Sequence, residues 1–456
     1  MNTSRRHIAL LIILTILGLI GAGCSTYSGT APSTAQVTLS VVPTMTVTML
    51  ATLAPQITPT QRAPFQIDSS CWQIKQLQGG NDIPGSLLFD YGYSGIFYWD
   101  VSSFQAKLFT KNISEWGLFL SSETLPSDRK SVPLIGSDGK VLFTSSDHSS
   151  ISFSFPHGNY GIKHLLNGNI FYQDYGDVIG RPVDTSIYQE GVGYTDQYYI
   201  YDSKTGEQIE SHSVFLPKFT YYAAGQLSKA DISYSPDGNY VLYRSTLLDG
   251  KDGFSLLDLH SNQVKWTVPV SNKELGGGDQ LPYMPIWKPD GSALTFIWAS
   301  EDENKAQNFY TISLDGIVTQ FTRFEEAFPH GYILDFSPQW SPDRHYMAFR
   351  VQKPDHPMEF ELLIWDDVSK TLLDPCLPVD GIEPYYGVDW SFDSKHIVLD
   401  LPYPAMPSPR LRHWMLDVPN KILYELPGDE AMQNYLGQSG KVTGYSTGFW
   451  MNWEIP

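Results

Sequence analysis

Three cysteines among 456 residues are too few for a disulfide scaffold, and none stands in a CxxC pair that would suit zinc or a redox dithiol. Eleven histidines supply no HExxH, and no D-x-D-x-D-G loop suggests a calcium hand, so neither a metal nor a cofactor is expected. Acid clusters such as Glu301-Asp302-Glu303 and Asp366-Asp367 read as solvated loops. Basic residues are scarce as well: 30 Lys plus Arg face 49 Asp plus Glu, a net charge of -19. Arg5, Arg6 and Arg62 are the only charges before residue 66, so residues 66–456 carry 27 basic and 49 acidic residues, net -22. Repulsion from phosphates excludes a nucleic-acid partner and direct binding to anionic lipid headgroups. What the chain has in quantity is apolar surface, at 42% of residues with 14% aromatic. That composition excludes a disordered protein and is enough for a large core.

One catalytic pattern matches on paper, Gly444-Tyr445-Ser446-Thr447-Gly448, which has the G-x-S-x-G form of a nucleophile elbow. Such an elbow needs a following helix and then an acid and a histidine, whereas the last histidine here is His413. The stretch reads instead as a turn before a closing strand. No catalytic residue is assigned.

The first 24 residues pair Arg5 and Arg6 with the apolar run from Ile8 to Leu17, then Gly18-Leu19-Ile20-Gly21-Ala22-Gly23-Cys24. This reads as a secretory signal. A cysteine directly after small residues resembles the bacterial lipoprotein lipobox, which implies lipidation at Cys24 and removal of residues 1–23. Gly21 departs from that pattern, where an aliphatic residue is usual. Residues 24–65 follow as a tether: between 25 and 64 there are ten Thr, four Ser, five Pro and five Ala. Proline at this density prevents a continuous helix and favours an extended, solvated segment. The expected location is the extracytoplasmic face of a bacterial membrane, which the chain meets through its lipid anchor alone.

In residues 66–456 four segments superimpose: Tyr234-Ser235-Pro236-Asp237-Gly238, Trp287-Lys288-Pro289-Asp290-Gly291, Trp340-Ser341-Pro342-Asp343-Arg344 and Trp390-Ser391-Phe392-Asp393-Ser394. Each precedes a short apolar strand: Tyr240 to Arg244, Ala293 to Trp298, Tyr346 to Val351 and His396 to Leu401. Proline fixes φ, aspartate accepts hydrogen bonds from the backbone just ahead, and glycine tolerates positive φ where the chain reverses. Asp237, Asp290, Asp343 and Asp393 are therefore structural turn residues. Four short strands per period of about 50 residues predict an all-β propeller of four-stranded blades. The repeat resembles the WD40-like, TolB-type propeller repeat, also found in the propeller of prolyl oligopeptidase relatives.

Worn copies at Ser137-Asp138-Gly139 and Asn167-Gly168-Asn169 bring the number of units to seven, with six still compatible. The first unit lacks an opening strand, and the tail from Gly448 to Glu454 is a strand without a blade, so pairing the two would close the ring. Cys71 and Cys376 either bridge the sixth unit to the start of the fold or remain two buried thiols. Tyr198-Tyr199, Tyr221-Tyr222 and Tyr385-Tyr386 suit packing between blades better than a sugar platform. The stretch from Tyr172 to Asp196 is the longest irregular one and the expected place for a contact loop. TolB-type propellers are recognition modules, so the resemblance implies a binding or scaffold role toward an envelope protein or an extracellular polysaccharide. A glycan hydrolase or lyase with carboxylates gathered in the funnel is the other expectation.

Overall fold

The computed structural model describes residues 65–452 apart from 91–95, 104, 111–124, 127, 136–139, 156–159, 175–187, 190–191, 221–231, 248–251, 270–283, 299–306, 328–332, 354–355, 378–387, 403–410 and 427–447. Cys24 and residues 24–64 of the tether therefore lie outside the described residues, whereas Phe65, the tether's expected last residue, is packed against Phe324 and Trp365 of the ring. Two short strands come first, β1 (Gln66–Asp68) and β2 (Gln73–Gln76). Blade 1 contains β3 (Ser86–Asp90), β4 (Ile96–Asp100) and β5 (Gln105–Thr110), and blade 2 contains β6 (Ser131–Ile135), β7 (Val141–Ser145) and β8 (Ser150–Phe153). Blade 3 comprises β9 (Tyr160–His164), β10 (Ile170–Asp174), β11 (Tyr188–Gln189), β12 (Gly193–Tyr201) and β13 (Gln208–Pro217). Blade 4 runs through β14 (Ile232–Tyr234), β15 (Tyr240–Thr246), β16 (Asp252–Asp258) and β17 (Gln263–Pro269). In blade 5 are β18 (Ile286–Trp287), β19 (Ala293–Trp298), β20 (Asn308–Ser313) and β21 (Val318–Gln320), followed by a single helical turn, α1 (Phe324–Ala327). Blade 6 is β22 (Ile333–Trp340), β23 (Tyr346–Lys353), β24 (His356–Asp366) and β25 (Thr371–Leu373). Blade 7 is β26 (Val388–Trp390), β27 (His396–Pro402), β28 (Leu411–Asp417) and β29 (Ile422–Glu425), and β30 (Gly448–Met451) ends the described chain.

The seven sheets share seven apolar clusters, one between each neighbouring pair. Leu88, Phe109 and Phe449 of blade 1 pack on Val132 of blade 2, and Phe143 and Phe153 of blade 2 on Ile162, Tyr172 and Tyr201 of blade 3. Phe171, Val214 and Leu216 continue to Ile232 and Val241 of blade 4, and Leu242 and Leu256 to Trp287 and Leu294 of blade 5. Phe309 and Phe324 meet Trp340 and Phe349 of blade 6, and Ala348 and Ile364 meet Trp390 and Ile397 of blade 7. The seventh cluster joins Val398 and Met415 of blade 7 to Leu87, Trp99 and Trp450 of blade 1. An open row of seven sheets would have one interface fewer, so the sheets close into a ring. The chain is a seven-bladed β-propeller.

Closure is made by the tail strand. β30 pairs antiparallel with β3, Leu87 opposite Trp450 and Leu88 opposite Phe449, and becomes the innermost strand of blade 1. The expectation of uniform four-stranded blades needs correction, because among the described strands blade 2 has three while blades 3, 6 and 7 have five. In blade 2 the turn of the neighbouring blade abuts β8: a Cβ on Gly206 would stand 2.3 Å from the Ser152 carbonyl oxygen. In blades 6 and 7 the extra strands are β1 and β2, which add parallel to the outer edges of β25 and β29. This N-terminal strap escapes a hydrophobic pattern search because edge addition is made by backbone hydrogen bonds, and all four residues of β2 are exposed.

Candidate functional site

The ring has two unlike ends. At one end, the connections 235–239, 288–292, 341–345 and 391–395 from the innermost strand to the next have one common length. There Asp237, Asp343 and Asp393 each accept from a serine hydroxyl two residues back and from a backbone N–H two residues ahead. The serine hydroxyl in turn accepts from the N–H that opens the next strand, at 2.9 Å for Tyr240, Tyr346 and His396. Ser235, Ser341 and Ser391 are fully buried, so this serine is as much a part of the turn as the aspartate. Its recurrence in three of the four segments was the signal available in the sequence. Asp290, whose turn has Lys288 in the serine position, accepts from Ser292 instead.

The four aspartates sit on four separate blades and do not converge. Burial would raise the Asp393 carboxyl, but hydrogen bonds from His396 and Ser391 win and hold it down at about 2. Neighbouring turns are stitched together by Leu166 N–H to the Pro236 carbonyl at 2.9 Å, by the Arg344–Asp290 ion pair and by Asp343 N–H to Ser394 Oγ at 3.0 Å. The tryptophans of the repeat reach backward: Trp390 Nε1 donates to the Gln339 carbonyl at 3.0 Å and Trp340 Nε1 to Thr295 Oγ1 at 3.0 Å.

Leaving aside the parallel strap strands, the strands of a blade alternate in direction, so the connections leaving the second and fourth strands attach at the opposite end. These vary widely, from 354–355 to 270–285 and 426–447. Tyr221-Tyr222, Tyr385-Tyr386, Glu301-Asp302-Glu303 and Gly444 to Thr447 belong to such connections and lie outside the described residues, as does most of the stretch after Tyr172. Tyr198 is described, and it is buried between blades, stacked on His212 and Phe171.

On the inner wall one ion pair spans three blades. Arg129, just ahead of β6, holds both carboxylate oxygens of Asp389 on β26 at 3.0 Å and also donates to the Trp450 carbonyl at 3.3 Å. Trp450 N–H donates to the same carboxylate at 2.7 Å. Both charged groups are buried. The pair therefore ties the closing strand to blades 7 and 2, and three of the carboxylate's lone pairs are taken up in that tie.

A second buried acid lies between blades 3 and 4. Asp196 on β12 has no exposed surface, and its Oδ2 accepts from Gln173 Nε2 at 2.9 Å and from Tyr234 OH. Its Oδ1 has no partner. Burial pushes the carboxyl up to about 7, against the opposing pull of Tyr234 and Gln173. The aromatic strand Tyr194-Thr195-Asp196-Gln197-Tyr198 puts this acid on the same face as two buried tyrosines, which was its only sequence signal. His164, at the same repeat position as Tyr234, is half-buried, and its imidazole is held down at about 4 by desolvation and by the Arg129 charge.

Among the described residues no group of three or more His, Cys, Asp or Glu could hold a metal. Asp366 accepts from Val368 and Ser369 N–H in its own turn, and Asp367 pairs with Lys370 and Lys288. Cys71 and Cys376 are joined, S–S 2.12 Å, beside the strap where it passes from blade 6 to blade 7. Lys421 and Asp68 add an ion pair there.

No known protein family matches the chain. Its fold is similar to that of TolB from Acinetobacter baumannii, at a TM-score of 0.37 and 12% identity over 83% of this chain and 82% of that one. The likeness is to a TolB-type propeller. An oligogalacturonate lyase from Vibrio parahaemolyticus gives a TM-score of 0.44 and 13% identity over 76% and 87% of the two chains. By sequence, the uncharacterized peptidase YuxL of Bacillus subtilis is 29% identical over 171 residues, 37% of this chain and 22% of that protein. At this coverage and identity these likenesses assign no activity, and the propeller assignment stands on the closed ring itself.

Proposed function

We propose that this propeller is a binding or scaffold module, anchored by lipid at Cys24 on the extracytoplasmic face of a bacterial membrane. Its partner would be an envelope protein or an extracellular polymer. Residues 1–23 would be the signal, 24–65 the tether and 66–456 the propeller. The observation that carries this reading is the asymmetry of the ring. One end is built from uniform turns stitched to one another, and the other gathers connections of widely different lengths, the arrangement in which a rigid scaffold presents recognition loops. The inner wall agrees with it: the acids on the innermost described strands are Asp335 and Asp389, and Asp389 is committed to Arg129. The net charge of -22 on residues 66–456 favours a neutral or cationic partner surface.

The test is affinity capture from detergent-solubilised envelope with the full chain as bait, each eluate being analysed for protein and carbohydrate. One stoichiometric protein, or a polymer retained intact, is the expected result. Shortened glycan products in the flow-through would overturn the reading in favour of a hydrolase or lyase.

A further inference from the structure

Propeller blades end in an outer strand whose free backbone groups invite pairing with another chain, and natural folds blunt such edges. This ring blunts most of them. The edges of β25 and β29 are covered by β1 and β2, β21 is three residues long, β8 is abutted by Gly206, and β5 and β17 carry Lys107 and Lys265. The exception is β13. It is ten residues long, Gln208 to Ser213 are all exposed, it has no lysine, and its single proline is the last residue. Among the described residues it pairs with β12 alone. Two of its apolar side chains, Ile209 and Phe215, are 49% and 42% exposed, and Val192, next to the Gly193 that the Phe215 ring approaches, is 52% exposed.

The parity of the free edge follows from one bond. Lys218 N–H donates to the Val192 carbonyl at 2.8 Å, so up to the bulge opposite Ile200 the residues Leu216, Val214, His212 and Glu210 bond to β12, and the N–H and C=O groups of Ser211, Ser213 and Phe215 point outward. The edge is also complementary to itself. Its charged or titratable side chains are Glu210 and His212, two apart and 2.7 Å from each other within one chain. If two copies meet antiparallel about a two-fold axis at Ser211, that residue exchanges both backbone bonds with its twin. Glu210 of each copy then faces His212 of the other in a non-hydrogen-bonded pair, where opposing side chains stand closest. Shifting the register by two residues removes this match.

We propose that β13 is a homodimer interface in which two propellers join edge to edge through Ser211, forming one continuous sheet across two blades. A closed two-fold contact of this kind is isologous and self-limiting. The measurement is sedimentation equilibrium of the full chain in mild detergent, alongside Ser211→Pro, Glu210→Lys and Ser211→Cys. The wild type should be dimeric in the low micromolar range. Ser211→Pro removes an outward N–H and should weaken dimerisation at least tenfold, with thermal unfolding unchanged because that N–H has no partner among the described residues of the monomer. Glu210→Lys should weaken it similarly by removing the acid from both cross-strand pairs with His212. Residues paired at Ser211 would have Cα atoms about 5.5 Å apart, within disulfide range, so Ser211→Cys should cross-link on mild oxidation while Ser261→Cys, on a blade 4 turn, does not. A monomeric wild type at 100-fold higher concentration, or a dimer indifferent to both Ser211→Pro and Glu210→Lys, overturns the proposal, as does a protein that pairs only with an unrelated extended peptide.

Discussion

Replacing Asp196 by Asn should make the propeller more stable at pH 8 than at pH 5 relative to wild type. The Asp196 carboxyl rises from 3.8 to about 7 on folding because burial disfavours its charge. Between those two values the folded state binds more protons than the unfolded one, so the wild type loses stability as pH rises through this window, and the loss levels off above about 7. One unit of pKa corresponds to about 1.4 kcal/mol, so the part of the penalty that accrues from pH 5 to pH 7 is about 3 kcal/mol. Asparagine keeps an oxygen for Tyr234 and Gln173 and cannot ionise, at the cost of an amide N–H where Oδ1 has no partner, about 1–3 kcal/mol and independent of pH. The difference between the two proteins should therefore change by about 3 kcal/mol from pH 5 to pH 8, whatever its absolute offset. Denaturant unfolding of both proteins at pH 5, 6, 7 and 8 reads this directly, and titrations common to both cancel. Parallel stability profiles would refute the reasoning, showing either that water reaches Asp196 or that its charge is compensated.

Three further outcomes follow from the ring. Removing residues 448–456 deletes β30 and with it the innermost strand of blade 1, and should abolish cooperative unfolding by calorimetry; a truncated protein that keeps its transition would mean closure is dispensable. Arg129→Leu strands a buried Asp389 carboxylate and should cost about 3–5 kcal/mol, most of it recovered in the Arg129→Leu, Asp389→Leu double variant; a double variant as unstable as the single one would rule out an unpaired charge as the cause. Asp393 is held at about 2 by contacts that exist only in the folded chain, so its contribution is complete above the unfolded value near 3.8 and is lost as pH falls toward 2. Ser391→Ala should flatten the acid limb and cost about 1–2 kcal/mol at pH 7, and an unchanged acid limb would count against the turn network.

The propeller was legible because its repeat is local: proline, aspartate and an aromatic at fixed spacing beside strands of period two. Closure was legible too, since a first unit short of a strand and a tail strand without a sheet imply each other. What escaped lies in contacts between residues far apart in sequence. Arg129 and Asp389 are 260 residues apart, and neither is remarkable in its own segment. The strap strands Gln66-Ile67-Asp68 and Gln73-Ile74-Lys75-Gln76 pair through their backbones, and the one apolar side chain each contains, Ile67 against the blade 5–6 cluster and Ile74 exposed, gives no period to read. The serine of the turn was visible in three copies, yet its hydroxyl acts on the backbone of the next strand, which spacing alone does not reveal.

The strap also decides how the molecule carries load. A pull applied upstream of Phe65 peels β1 from β25 and then arrives at Cys71, where a covalent bond passes it straight to Cys376, 305 residues further along the chain. When the opposing grip lies beyond Cys376, the intervening blades are bypassed and bear no tension. The disulfide is thus a mechanical shunt, and the segment it protects is most of the ring.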